Sequence, residues 1–224
     1  MRHTGSLASH MSLGDLKQLI KTGEGTYLEF KRVISSPVKI AREICAFANT
    51  KGGNLLIGVD DDKTIIGVES FYEQEFLLEQ AAEVICSPQV DYSMEILPFY
   101  HRDIMLVKIH ESSDKPIAVL NAENSAVFIR NRDKSVQASR EAIHVLKNET
   151  SAKGVTFEFG PNERLLLRYL NEYEKITVRE FSGLVNISKR KASKILVDLV
   201  SAGILRLFSH EKSDYFTLSH KLPS

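Results

Sequence analysis

The sequence predicts a mixed α/β domain followed by a smaller, mostly helical domain that ends in a β-hairpin. Three observations carry this reading. Short apolar strands alternate with amphipathic helices, punctuated by glycines, through residue 148. A polar, glycine-containing stretch follows at 149–160. Beyond it come three helical segments and then two strands. The expected boundaries are 12–148 for the first domain, 149–160 for a linker and 161–220 for the second domain. Residues 1–11 read as an expression leader, with Met11 as the native start, and take no part in the fold reasoning.

In the first domain, Ser12 can cap a helix reaching Lys21, with Leu13, Leu16, Leu19 and Ile20 on one face. Gly23 and Gly25 break it before a strand at 27–32. Pro37 suits the first turn of a helix that ends near Asn49, with Ile40, Ile44, Cys45, Phe47 and Ala48 inward. Gly52 and Gly53 allow a sharp reversal into a continuous apolar strand at 54–59, and 64–67 reads as a second short strand. A helix over 71–86, closed by Ser87-Pro88, precedes strands near 91–98, 104–110, 117–120 and 126–130. Ser139 caps a last helix to Lys147.

The second domain opens with an amphipathic helix over 161–173, in which Leu165, Leu166, Tyr169 and Leu170 recur at helical spacing. A short strand at 176–178 and a short helix at 179–185 come next. Ser188 then caps a longer helix to Ser201 with Ala192, Ile195, Leu196, Leu199 and Val200 inward. Gly203 ends it, and strands at 204–208 and 215–218 flank a polar tip at 209–214. Helix, short strand, helix, helix and β-wing is the order of a winged helix-turn-helix.

Composition narrows the classes. Apolar content of 43% suits a packed globular protein. No run approaches the about 18 apolar residues of a membrane span, so no membrane partner is expected. No apolar signal segment opens the chain, and a cytoplasmic location is expected. Cys45 and Cys86 lack paired-ligand spacing and sit in apolar helical contexts, which reads as two buried free thiols. The net charge of zero hides an asymmetry. Residues 11–150 hold 16 Lys/Arg against 21 Asp/Glu, whereas residues 151–224 hold 12 against 8. The basic bias therefore lies at the C-terminal end, where a phosphate-contacting surface is expected.

Two stretches carry most of the functional signal. One is Tyr27-Leu28-Glu29-Phe30-Lys31, and the other runs from Ile44 through Asn49-Thr50-Lys51-Gly52-Gly53 to Gly58-Val59-Asp60-Asp61. Downstream come Gly67-Val68, Lys115-Pro116 and Phe128-Ile129-Arg130-Asn131, in that order before a final helix. Together these resemble the signature of the Schlafen/AlbA-like domain, over roughly residues 13–147. The family is often described as a nucleic-acid-binding domain of bacterial transcriptional regulators, so the resemblance implies an α/β fold and a nucleic-acid partner. The segment 176–205 is similar to bacterial winged-helix regulators. Schlafen-type nucleases carry a Glu-x4-Glu-Phe-Lys element and an aspartate after a Gly-Val, and Glu24, Glu29 and Asp60 stand at those spacings.

Four groups of candidate residues follow. Ser188, Lys189, Arg190, Lys191 and Lys194 crowd the start of the expected recognition helix, where side chains meet the major groove and amides favour phosphate. A winged helix used for protein contacts is the competing reading. Lys31, Arg32, Arg130, Arg132 and Lys134 match basic positions of the family and would line a backbone-binding groove, unless Arg130 neutralises Glu29 or an aspartate inside the fold. Glu24, Glu29, Asp60 and Asp61, with Asp62 beside them, could converge on magnesium or manganese and activate water against a phosphodiester. The competing reading there is internal pairing and solvated turns. Finally, the run from Gly53 to Gly58 imitates half of a Walker A loop but continues Val59-Asp60 where Lys and Ser/Thr are needed. This argues against ATP, despite the ATPase-like labels the family carries.

The expected function is thus a transcriptional regulator that binds nucleic acid without cofactor, DNA rather than RNA, as a homodimer on paired half-sites. The alternatives are a metal-dependent endonuclease using the carboxylates and a ligand- or protein-interaction module.

Overall fold

The computed structural model describes residues 11–120, 125–151, 159–209 and 213–220. Residues 1–10 of the expected leader, 152–158 of the expected linker and 210–212 of the expected hairpin tip lie outside the described residues. The chain divides into two units, Met1–Gln137 and Ala138–Ser224.

In the first unit, α1 (Leu13–Thr22) is held at its start by a capping box between Ser12 and Asp15. Strand β1 (Leu28–Lys31) runs parallel to β2 (Gly53–Ile57), with Glu29 opposite Leu55. Helix α2 (Pro37–Asn49) connects them. After β2 come α3 (Phe71–Glu79), β3 (Cys86–Ser87), β4 (Tyr92–Phe99) and β5 (Arg102–Ile109). β5 pairs antiparallel with both β2 and β4, giving a sheet of order β1-β2-β5-β4. A second sheet of order β3-β6-β7-β8 is built from β3, β6 (Ala118–Leu120), β7 (Ser125–Asn131) and β8 (Lys134–Gln137).

Both faces of the first sheet are covered, which explains why β2 is apolar without alternation. Leu55, Ile57, Met105 and Val107 join α2 residues Ile40, Ile44 and Phe47 in one core. Leu56, Ile104 and Leu106 join α1 residues Leu16 and Ile20 in another. The turn into β2 depends on both glycines. Gly52 has φ +71°, and a Cβ on Gly53 would lie 2.2 Å from the Phe47 ring.

Three elements depart from expectation. Residues 64–67 form no strand; the segment folds back on β2 through one bridge, Val59 to Ile65, with the Gly58 carbonyl accepting from the amides of Ile66 and Gly67. The helix expected over 71–86 widens after Glu79 into a π-helical turn, Gln80–Ile85, that buries the adjacent Ala81 and Ala82. The polar stretch after Asn131 turns at Arg132 (φ +58°) into β8, an edge strand.

In the second unit, α4 (Arg140–Glu149), capped by Ser139, packs against α7 (Lys189–Ser201) rather than closing the first domain. The remaining elements are α5 (Pro161–Tyr173), β9 (Lys175–Ile176), α6 (Val178–Leu184), β10 (Leu205–Phe208) and β11 (Tyr215–Leu218). The strands make an antiparallel sheet of order β10-β11-β9. Its core gathers Leu166, Leu170, Ile176, Phe181, Leu196, Leu199 and Phe216. No described helix is long and apolar enough to cross a membrane. Both cysteines are free and buried, and burial pushes the Cys45 thiol up to about 12.

Candidate functional site

Arg130 sits at the centre of the first unit's charged motif. Its side chain is fully buried, and one guanidinium nitrogen donates to Glu29 Oε2 and Glu43 Oε2, each at 3.1 Å. The same nitrogen lies 3.1 Å from Ser135 Oγ, and the other terminal nitrogen donates to the Gly25 carbonyl at 2.6 Å. The guanidinium carbon lies 4.6 Å from the centroid of the Phe47 ring. Phe47 can occupy that place because Gly53 has no Cβ, so the glycine turn and the buried charges form one arrangement.

The other anionic groups are mostly committed too. Glu29 Oε1 accepts from the Lys31 ammonium, which also donates to the Phe30 carbonyl at 2.9 Å. Ser135 donates its hydroxyl proton to Glu43. Asp60 lies 3.7 Å from Arg32 and accepts the Asp61 amide on its side chain. Asp62 accepts the Thr64 amide, which lowers its pKa.

Glu24 is different. Its Oε1 accepts the Phe30 amide at 2.9 Å, but burial raises its pKa, the Phe30 bond and Lys31 oppose the rise, and the charges of Glu29 and Asp61 add to it. Glu24 thus feels the charges of Glu29 and Asp61, yet the three do not form a donor set. Among the described residues no group of three His, Cys, Asp or Glu could hold a metal ion. The side chains expected to bind magnesium or manganese do not fit that group, because Arg130 and Lys31 take the Glu29 oxygens, Arg32 and the Asp61 amide take Asp60, and the Thr64 amide takes Asp62.

The expected basic groove is also redistributed. Lys31 and Arg130 point into ion pairs, Arg32 is exposed beside Asp60, and Arg132 and Lys134 are exposed at the β7–β8 turn. Gly53–Ile57 is the buried strand β2, which is no phosphate-cradling loop. Sequence reasoning missed Glu43 and Ser135. Glu43 was detectable, since it shares a helical face with Ile40 and Phe47, and a carboxylate there needs a partner. Asn49 was missed as well. It clamps the second sheet to α2, donating to the carbonyls of Ile117 and Phe128 and accepting the Ile117 amide.

In the second unit, Ser188 caps α7, its Oγ accepting the Lys191 amide at 3.3 Å. Lys189, Arg190 and Lys191 are exposed and have no carboxylate at salt-bridge distance among the described residues. Lys194 is exposed and lies 3.8 Å from Asp198. α4 takes part of the α7 surface: Ser193 donates to Glu141 at 2.6 Å, and Asn148 donates to Ser201 at 2.9 Å. Arg206, exposed on β10, and Lys175, whose ammonium lies 5.8 Å from the Tyr215 ring centroid, add cations that sequence reasoning had not singled out.

The first unit thus defines a mixed α/β domain with a buried arginine–carboxylate centre, one helix on each face of a four-stranded sheet. The Schlafen, AlbA_2 family matches residues 24–139, more than half of the chain, and the chain belongs to that family. Among solved structures, the chain is similar to the N-terminal domain of a RecG-related protein from Nitrosomonas europaea, named for an ATP-dependent DNA helicase. Identity there is 22% over 58% of this chain and 93% of that one, with a TM-score of 0.44. It is also similar to the DIP2311 protein from Corynebacterium diphtheriae, with 16% identity, 87% of this chain and 34% of that one covered, and a TM-score of 0.47.

Proposed function

We propose that the chain is a nucleic-acid-binding transcriptional regulator of bacterial type. Its second unit acts as a winged helix-turn-helix, and α7 docks on duplex DNA in preference to RNA. The family association with nucleic acids supports the broad reading. The observation that carries the finer one is the first turn of α7, where three exposed cations without carboxylate partners stand at a capped helix N-terminus. Charges of that kind gain by neutralising phosphates and releasing their counterions. The order α5, β9, α6, α7, β10, β11 supports the same reading, as does the sheet that ties β9 to the hairpin.

The test replaces Lys189, Arg190 and Lys191 together with Ala and measures duplex binding against salt. The expected result is weaker binding and a shallower slope of log K on log salt, by about 0.9 for each phosphate no longer neutralised. Stability should stay within about 0.5 kcal/mol, since all three side chains are exposed. Unchanged affinity and slope would move α7 to a protein-binding role. Light scattering with and without DNA tests whether two copies assemble on paired half-sites.

A further inference from the structure

We infer that a cavity in the first unit, at the start of α2, binds a phosphate group of a nucleic-acid strand. The inference deepens the nucleic-acid reading above and rests on it only for the source of the phosphate. The cavity has a volume of about 280 Å³, and its charged and hydroxyl lining is Lys31, Ser35, Ser36, Lys39, Arg42 and Glu43. That volume lies at the lower edge of the roughly 300–1,000 Å³ of small-ligand sites, suited to one phosphate and its sugar.

The charges there are not equivalent. Glu43 is neutralised by Arg130, and the Lys31 ammonium is held by Glu29. Lys39 and Arg42 have no carboxylate at salt-bridge distance among the described residues, so the cavity keeps two uncommitted cations. Arg42 is steadied over the Phe128 ring, 5.7 Å from its centroid, which limits the side-chain entropy lost on binding. Ser36 makes no side-chain capping bond and no acidic residue stands in the first turn of α2. First-turn amides have no intrahelical acceptor, and the helix dipole adds positive potential at the same spot. Residues 11–150 carry 21 acidic against 16 basic side chains, which disfavours a broad duplex face, and the two cations beside this half-open cavity suit one phosphate group.

The test titrates the full chain with three probes: inorganic phosphate, a single-stranded 12-mer carrying a 5′-phosphate, and the same 12-mer without it. Amide NMR signals of residues 35, 36 and 38–42 should move with phosphate. Preference for the 5′-phosphorylated strand assigns a strand end, equal binding of the two strands assigns the backbone, and either result supports the site. The double variant Lys39→Ala, Arg42→Ala should weaken phosphate binding by about tenfold or more, because each charge-assisted hydrogen bond removed exceeds a neutral one. Both side chains are exposed, and an unchanged melting temperature would show the variant folded. Signals at 35–42 that ignore all three probes, or wild-type phosphate binding by the folded double variant, would overturn the site. Duplex binding through α7 would survive that failure. Conversely, the Lys189, Arg190 and Lys191 variant should lose duplex binding while keeping the phosphate-induced shifts at 35–42.

Discussion

The two units use their cations in opposite ways. In the first, Arg130 and Lys31 are spent on Glu29 and Glu43 inside the fold. In the second, Lys189, Arg190 and Lys191 stand in solvent at a helix start without carboxylate partners among the described residues. The contrast separates charge that specifies a structure from charge that is free to meet a ligand. A buried pair contributes little net stability, yet removing one member is costly, whereas an exposed unpaired cation costs almost nothing to remove.

Arg130→Met probes that contrast with the largest expected effect. It removes the buried cation that Glu29 and Glu43 share, leaving Glu29 only Lys31 and Glu43 only the Ser135 hydroxyl, and should destabilise the first unit by about 3–5 kcal/mol, measured by denaturant unfolding. The duplex binding proposed for the second unit should remain if that unit folds on its own. A variant of wild-type stability would mean that the two carboxylates reach water, and the buried half of the comparison would collapse.

Glu29→Gln comes next and also tests the metal reading. Arg130 keeps Glu43 and Ser135, so the loss should be about 1–3 kcal/mol, the cost of weakening the Arg130 and part-exposed Lys31 bonds to Glu29. Manganese up to millimolar concentrations should leave the wild-type melting temperature unchanged, because stabilisation by mass action needs a site in the folded state. A manganese-dependent rise that Glu29→Gln abolishes would restore the carboxylates as a metal site.

Legibility in the sequence followed the same division. Periodicity exposed the elements whose burial is mainly apolar, such as α2, β2, β5 and α7, although it passed over the buried Asn49 and the Arg130-paired Glu43 on α2. It failed where burial is polar. β8 offers Ser135 to Arg130 and is otherwise edge-exposed, so no alternation of apolar residues marks it. The π-helical turn at Gln80–Ile85 lacks any Gly or Pro to announce it. The carboxylates were found by motif spacing, but spacing cannot say which oxygen a distant arginine claims, since Arg130 lies 101 residues from Glu29. On α7 the exposure of Lys189, Arg190 and Lys191 was readable because no carboxylate among the described residues pairs with them.

Glu24 gives the smallest effect and the finest test. It belongs to the first unit's motif, yet it makes no ion pair among the described residues, and its pKa lies above the ordinary 4.5 chiefly through burial, with Glu29 and Asp61 adding to the rise. A carboxyl with a raised folded pKa binds its proton more tightly in the folded state. Folding stability therefore falls as pH rises from the ordinary value through the folded one, and at neutral pH the ionised group is a net cost. Glu24→Gln removes that charge, and its side-chain oxygen can still accept the Phe30 amide. Because Glu24 is exposed by area, solvent screens the gain to less than about 1 kcal/mol. The melting temperature should rise slightly at pH 7, show no gain below about pH 4, and lose its decline in between. A variant less stable than wild type at neutral pH would place a cation beside Glu24 and move this last carboxylate from the repelled class to the paired one.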